Sequence, residues 1–423
     1  MKTILVLFNR FGFLLLLLFF TNTVTIKAQE NVKVYQVKQL QYDFKQLRKH
    51  YECSLANCYY YTGKNKIDLW FDSMYALIRP MNGMEFYQFI TPIAEQLKDG
   101  HSYILPAQKD LELIAATQLV FPFDVKWTSD RLIITANYSS DTCIQIGSAI
   151  QAINGIAIDS ILKQMIKHLP RDGNNLAYPH WLSTTYFRAY YGYFWGYPKS
   201  FQLTVILPNN HQLDKRVGAI LKSQLNTLQV NLEPEFGIQT HIDTLNKTAV
   251  VKIKTWDNQL LKKSYHQDFK ALTAEFMQQV CTSNITELVI DLRDNQGGDF
   301  HNGIFLLGYL VDQPFYYLKS ISKRKRGSEL TMQQVRRYNR FCRLNSVNSL
   351  HYSGHITVLV NGGSFSNSAI FCEALQRNRE VQFIGSCGGN GKILSGVFDW
   401  RNEIKLHFTK IRVANANHQI ITN

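Results

Sequence analysis

A buried-strand signature that stops on paired glycines and resumes at once as helix constrains this chain more than any other feature. Ile356 to Val360 is apolar and β-branched, Asn361-Gly362-Gly363 turns the chain, and Ser364-Phe365-Ser366-Asn367-Ser368 opens an apolar helical run to Arg377. The pattern occurs once before. Leu288 to Leu292 ends in Arg293-Asp294-Asn295-Gln296-Gly297-Gly298-Asp299, and helical sequence follows over Gly303 to Val311. Between and beyond these lie a strand over Thr248 to Thr255, a helix over Tyr265 to Val280 with Phe269, Leu272, Phe276 and Val280 on one side, and a strand over Val381 to Ile384. Such alternation predicts a layered βαβ, α/β core over residues 246–423. The strand ends with their glycines form the edge where such sheets place ligands.

The preceding residues read differently. Residues 29–118 form a helical region: Leu40, Phe44 and Leu47 recur at helical spacing, and Asn82-Gly83-Met84-Glu85 resembles a capping box. A second apolar stripe, Phe86 to Leu97, carries Pro92, which kinks a helix, and stops at Asp99-Gly100, with His101 next. Residues 119–207 form a β-rich module in which a strand reaches the Asn154-Gly155 turn before a helix over Ile158 to Ile166. The aromatic stretch 173–200 reads chiefly as core, with a peptide groove as the other reading. Polar residues 208–245 read as a linker.

The first 28 residues have Lys2 and Arg10, a wholly apolar Phe13 to Phe20 and a small Ala28, the layout of a secretory signal peptide, so the chain is expected to be exported to a periplasmic or extracellular compartment. No later apolar run is long enough to span a bilayer, so no integral span is expected in the mature chain. The net charge of +14 is densest at Lys323-Arg324-Lys325-Arg326 and reads as a solvated face, with no nucleic-acid partner expected. Cys53 and Cys58 could bridge, and seven cysteines with no CxxC or HExxH suggest neither a disulfide scaffold nor a metal. No cofactor is expected.

Three segments carry chemistry. Ser366 falls at a helix N-terminus, where the next amide, that of Asn367, can donate to a developing oxyanion; the plainer reading makes Ser364 or Ser366 a helix cap. Gly297-Gly298 allows close backbone approach to a ligand oxygen, or is a structural turn; the P-loop lysine and the three-glycine dinucleotide spacing are both absent. His101, after a helix stop, is a general-base candidate only in company with the others.

Taken together, Asp291-Leu-Arg-Asp-Asn-Gln-Gly-Gly298, Val358-Leu-Val-Asn-Gly-Gly-Ser-Phe-Ser-Asn-Ser-Ala-Ile-Phe371 and Leu97-Lys-Asp-Gly-His-Ser102 resemble the tail-specific, or C-terminal-processing, serine peptidases, and most nearly the tricorn-core-like branch. The resemblance implies a ClpP/crotonase-like α/β core and a PDZ-like peptide-binding module over residues 119–207, with Ala152-Ile-Asn-Gly155 in the expected place. It implies a serine endopeptidase with Ser366 as nucleophile, His101 as general base, and Gly297, Gly298 and Asn367 as the oxyanion hole. The substrate implied is a peptide or unfolded protein.

Departures from the family pattern leave alternatives. Another branch uses a Ser/Lys dyad, and Lys392 lies near that lysine's position, but the glutamine expected four residues beyond it is Gly396. The downstream carboxylate of the tricorn-like branch has no clear counterpart, Asp399 and Glu403 being weak substitutes, so the acid that orients His101 is unassigned. A catalytically degenerate peptide-binding protein is therefore the second reading. An esterase with a G-x-S-x-G elbow is disfavoured, since Gly362 to Ser366 reads G-G-S-F-S. Oligomeric state is not legible.

Overall fold

A computed structural model describes residues 33–54, 58–128, 131–222, 224–225, 236–318, 320–323, 340–386, 388–389, 393–399 and 405–414. The signal-peptide reading (residues 1–28), Lys392, Glu403 and most of the basic run lie outside the described residues. Strands of three residues or more are numbered here.

Helices α1 (Val37–Ser54), α2 (Lys64–Ala76), α3 (Gly83–Ile90) and α4 (Ile93–Leu97) come first. Helix α3 starts on a true capping box: Asn82 Oδ1 accepts the Glu85 amide at 2.9 Å, and Glu85 Oε2 accepts the Asn82 amide at 2.8 Å. Pro92 cannot donate to the ladder, and the apolar stripe breaks there into two short helices. The helix stop differs from the sequence expectation. Lys98, at φ 52°, takes the left-handed conformation that ends α4, and Gly100 instead admits a neighbouring ring. Leu40, Phe44, Leu47, Phe86, Ile90 and Leu97 bury into one apolar cluster.

Strand β1 (Tyr103–Leu105) and helix α5 (Gln108–Thr117) lead to a small antiparallel sheet. Its members are β2 (Phe123–Thr128), β3 (Arg131–Asn137), β4 (Ala149–Ile153), β5 (Ser200–Ile206) and β6 (Gln212–Gly218), ordered β6-β5-β4-β3-β2. Asn154 and Gly155 both have positive φ (51° and 77°), so the Asn-Gly turn forms as its residues dictate. Helices α6 (Ile158–Ile166), α7 (Ala177–Thr185) and α8 (Phe187–Trp195) pack alongside.

The stretch 208–245 is not simply a linker. Strand β6 pairs along its whole length with β5, and β7 (Ile238–Asp243) forms the edge of the next sheet. Both are edge strands with mostly exposed or half-exposed side chains, so their sequences are polar like a coil's.

The larger sheet holds β7, β8 (Thr248–Ile253), β9 (Glu287–Asp291), β11 (His355–Val360) and β12 (Gln382–Gly385) in that order. Strands β8, β9, β11 and β12 run parallel, and β7 is antiparallel to β8. The crossovers include α10 (Phe269–Thr282), α11 (Phe300–Leu310) and α12 (Asn367–Asn378), while the shorter α9 (Asn258–Ser264) follows β8. Ala249, Val251, Leu288, Ile290, Ile356 and Val358 are buried in one core, as parallel strands covered by helices require. A third, antiparallel sheet joins β10 (Ser320–Lys323), β14 (Lys405–Ala414) and β13 (Ile393–Asp399), and β1 pairs with β14. Among the described residues no disulfide forms, and Cys53 and Cys58 are not bridged.

Candidate active site

Strands β9 and β11 are parallel neighbours, with Asp291 opposite Leu359. Their C-terminal ends therefore deliver two glycine-bearing loops to one place. Asn295, fully buried, ties the loops together. Its carbonyl accepts the Phe365 amide at 3.0 Å and the Ser368 hydroxyl at 2.9 Å, and its Nδ2 donates to the Ile253 carbonyl at 2.8 Å. Its Oδ1 accepts the Gly297 amide at 2.9 Å.

The two candidate serines separate cleanly. Ser364 is buried; its hydroxyl donates to the Leu292 carbonyl at 2.8 Å and accepts the Asn361 amide at 3.0 Å, so it holds the turn. Ser366 sits at the N-cap position of α12 but makes no side-chain cap bond. Its backbone, at φ 56° and ψ −116°, lies where a non-glycine residue is strained, at a cost of about 1–3 kcal/mol. That conformation leaves the hydroxyl aimed away from its own helix. Ser364→Ala is expected to cost about 1–3 kcal/mol in chemical denaturation, because the Asn361 amide and the buried Leu292 carbonyl each lose a partner.

His101 comes from the helical front. Its Nε2 lies 3.2 Å from Ser366 Oγ, across 265 residues of sequence. The ring packs on Phe365 at 4.6 Å between centroids, and Phe365 stacks on Tyr178 at 3.9 Å. Gly100 makes the approach possible: a Cβ there would lie 2.8 Å from the Phe365 ring. The imidazole is only 8% exposed, and burial pulls its pKa down to about 4, with the Asp172 carboxylate pulling the other way. It is therefore neutral at neutral pH and able to accept a proton.

The glycines divide their roles. Gly297 has φ 105°, and a Cβ there would lie 2.7 Å from Ser366 Cβ and 3.0 Å from the Asn367 amide nitrogen. Its own N–H is taken by Asn295, so one of the three expected oxyanion donors is already committed, and Gly297 contributes room instead. Gly298, at φ 137°, lies against the Trp256–Asp257 backbone. Among the described residues, the amides of Gly298 and Asn367 have no acceptor. The Asn367 side chain fixes the start of α12, accepting from Tyr317 Oη at 2.7 Å and donating to the Asp299 carbonyl at 2.8 Å.

The aromatic stretch serves two purposes. Phe187 and Tyr191 are core, whereas Trp181 donates to Asp294 Oδ1 at 2.6 Å and Tyr186 accepts from Gln296 at 3.3 Å, both on the β9 loop. A cavity of about 340 Å³, lined by Ile114, Phe123, Phe187, Arg188 and Tyr193 among others, does not include the hydroxyl–imidazole pair. Among the described residues no group of His, Cys, Asp and Glu is arranged to hold a metal, and no helix is long and apolar enough to cross a membrane.

Sequence reasoning missed Asn295, Trp256 and Asp172. Trp256, fully buried, donates from Nε1 to Ser368 Oγ at 2.8 Å and braces α12. Its signal was a lone tryptophan just after a strand. Asn295 stood inside the quoted glycine loop, and Asp172 in a Pro-Arg-Asp-Gly turn.

Residues 247–423 match the family model described as Peptidase family S41. Carboxyl-terminal-processing peptidase 2, chloroplastic, of Arabidopsis thaliana is 28% identical over 156 residues, which is 37% of this chain and 28% of that protein; the chain thus spans well under a third of that curated relative. The crystal structure of mature CPAF superposes with a TM-score of 0.63 at 14% identity, covering 89% of each chain. A serine-to-alanine mutant of CPAF gives 0.66 at 14% identity, over 92% of this chain and 91% of that one. At such identities the likeness concerns the fold. The family match puts the α/β core among the serine peptidases. The chain carries a peptidase family S41 domain, that of the C-terminal-processing peptidases.

Proposed function

We propose that this chain is an exported serine endopeptidase that cleaves peptides or protein C-terminal segments, with Ser366 as nucleophile and His101 as general base. The observation that carries the reading is the 3.2 Å approach of His101 Nε2 to a Ser366 hydroxyl that caps nothing. Ser366 Oγ attacks the scissile carbonyl as His101 takes its proton, and the imidazolium returns that proton to the leaving amine. The carbonyl oxygen, now negative, is held by the Gly298 and Asn367 amides at the positive end of α12. Water, activated by the same imidazole, releases the acyl group.

An imidazole base aligns the chain with the tricorn-like branch rather than the Ser/Lys branch, with Lys392 as the alternative base. The module around residues 119–207, extended by β6, fits a PDZ-like role: its edge strands β2 and β6 can accept an extended peptide as an added strand. Residues 1–28 would direct export.

A fluorophosphonate probe tests the reading. Wild-type protein and Ser364→Ala should label, and Ser366→Ala should not. Absence of labelling in folded wild-type protein would refute the enzyme and favour a peptide-binding protein of the same fold. Labelling that survives Ser366→Ala would refute the assigned nucleophile.

A further inference from the structure

One ring nitrogen of His101 faces Ser366; the other, Nδ1, is buried with no hydrogen-bond partner among the described residues. When His101 takes the serine proton it becomes a cation largely shielded from water, and such a cation is costly unless a counter-charge lies close. Lys98 reaches outward to Asn174 Oδ1 at 2.7 Å. Asp99 is buried, and its Oδ1 accepts the backbone N–H of His101 at 3.0 Å. Arg171 is turned to Glu95 Oε1 at 2.9 Å. Asp172 is 6% exposed, its Oδ1 accepts from Tyr61 Oη, and it is the carboxylate whose field acts on the imidazole.

The turn that carries Asp172 is built onto the His101 segment. The Gly173 amide donates to the Lys98 carbonyl at 2.9 Å. The Arg171 carbonyl carbon lies 3.8 Å from where a Gly100 side chain would begin. Gly173, at φ 65°, presses on the Tyr61 ring, where a Cβ would meet Cε1 at 3.0 Å. Tyr61 therefore fixes both the turn and the carboxylate.

We propose that Asp172 is the positioning carboxylate of this site, the counter-charge that stabilises the His101 imidazolium formed when the Ser366 proton moves to Nε2. The proposal rests on the Ser366/His101 reading. Asp172 takes no part in the proton transfer; the proton that moves is the one passed between Ser366 Oγ and His101 Nε2. Asp99, committed to a backbone amide, holds the loop.

The test compares Asp172→Asn, Asp172→Glu and Asp99→Asn in steady-state peptide hydrolysis across pH. Asp172→Asn should lower kcat by about 10²-fold or more with little change in KM, and should move the acid limb of kcat/KM to lower pH, because the uncompensated imidazole is harder to protonate. Asp172→Glu should recover part of the rate, and Asp99→Asn should leave the limb in place. Tyr61→Phe, which removes the Tyr61 hydrogen bond to the carboxylate but keeps the carboxylate, should shift rate and limb in the same direction by less, and it serves if Asp172→Asn does not fold. Unchanged kcat and limb in folded Asp172→Asn, or in Tyr61→Phe where the former is unfolded, would overturn the proposal. So would a limb shift confined to Asp99→Asn. Either result, obtained while Ser366→Ala still abolishes labelling, leaves the nucleophile assignment standing; labelling that persists in Ser366→Ala removes both.

Discussion

His101→Ala is expected to reduce peptide hydrolysis by about 10⁴- to 10⁶-fold while the protein stays folded, the scale of loss when a serine hydrolase is deprived of its base. A hydroxyl alone is a poor nucleophile at neutral pH, and among the described residues the side-chain nitrogen within hydrogen-bond reach of Ser366 Oγ is His101 Nε2, at 3.2 Å. Steady-state kinetics of the variant read this directly. A loss below about tenfold would mean that another base serves. The wild-type pH profile is tied to the same residue. Burial lowers the His101 pKa to about 4, so activity should persist through mildly acidic pH and fall only as the ring protonates near that value. Stability shares the sign. Between about pH 6.5 and 4 the unfolded chain takes up a proton that the folded imidazole refuses, so stability declines as pH drops through that window. The contribution is about 3 kcal/mol at most, and His168, also lowered to about 4 by burial, adds in the same direction. Denaturation of His101→Ala at a series of pH values should accordingly show a shallower decline than wild type.

Gly297→Ala should abolish activity by another route. A methyl group there would lie 2.7 Å from Ser366 Cβ and 3.0 Å from the Asn367 nitrogen, and the φ of 105° is one that alanine avoids. The neighbours cannot yield readily. Asn295 pins both loops, and Asn367 is held by Tyr317 and Asp299. Relief of the clash must therefore move the hydroxyl or the oxyanion amide, and a displacement of about 1 Å can cost on the order of 10²-fold or more. A loss of at least about 10³-fold in kcat is expected, with destabilisation of about 2–4 kcal/mol by chemical denaturation. A Gly297→Ala enzyme of near-normal rate would show that the loops are less tightly joined than Asn295 implies.

What could be read from the sequence follows the range of the interactions involved. The junction at 356–368 is local: a buried strand, a glycine turn and a helix start lie within thirteen residues, so Ser366 was visible as a candidate on physical grounds. The choice between Ser364 and Ser366 was not, because it depends on the Leu292 carbonyl, which lies just past the end of another strand. His101 carries no local signal; only the likeness of its Asp-Gly-His segment to a family pattern singled it out. The Gly297 amide looked free because its acceptor, the Asn295 side chain, could equally have pointed to solvent. Asp172 meets Tyr61 across 111 residues and a second helix–turn junction, a contact with no period to detect. Polar alternation misled at 212–218, where an edge strand and a coil have the same composition.

Strand β14, which ends at Ala414, pairs through Lys405, Leu406 and His407 with the three residues of β1, and β1 begins two positions after His101. The backbone that carries the proposed base is thus clamped by a strand that follows the proposed nucleophile's helix in sequence. Loosening β14 would therefore loosen the backbone next to His101 while the parallel pairing beneath Ser366 stays intact.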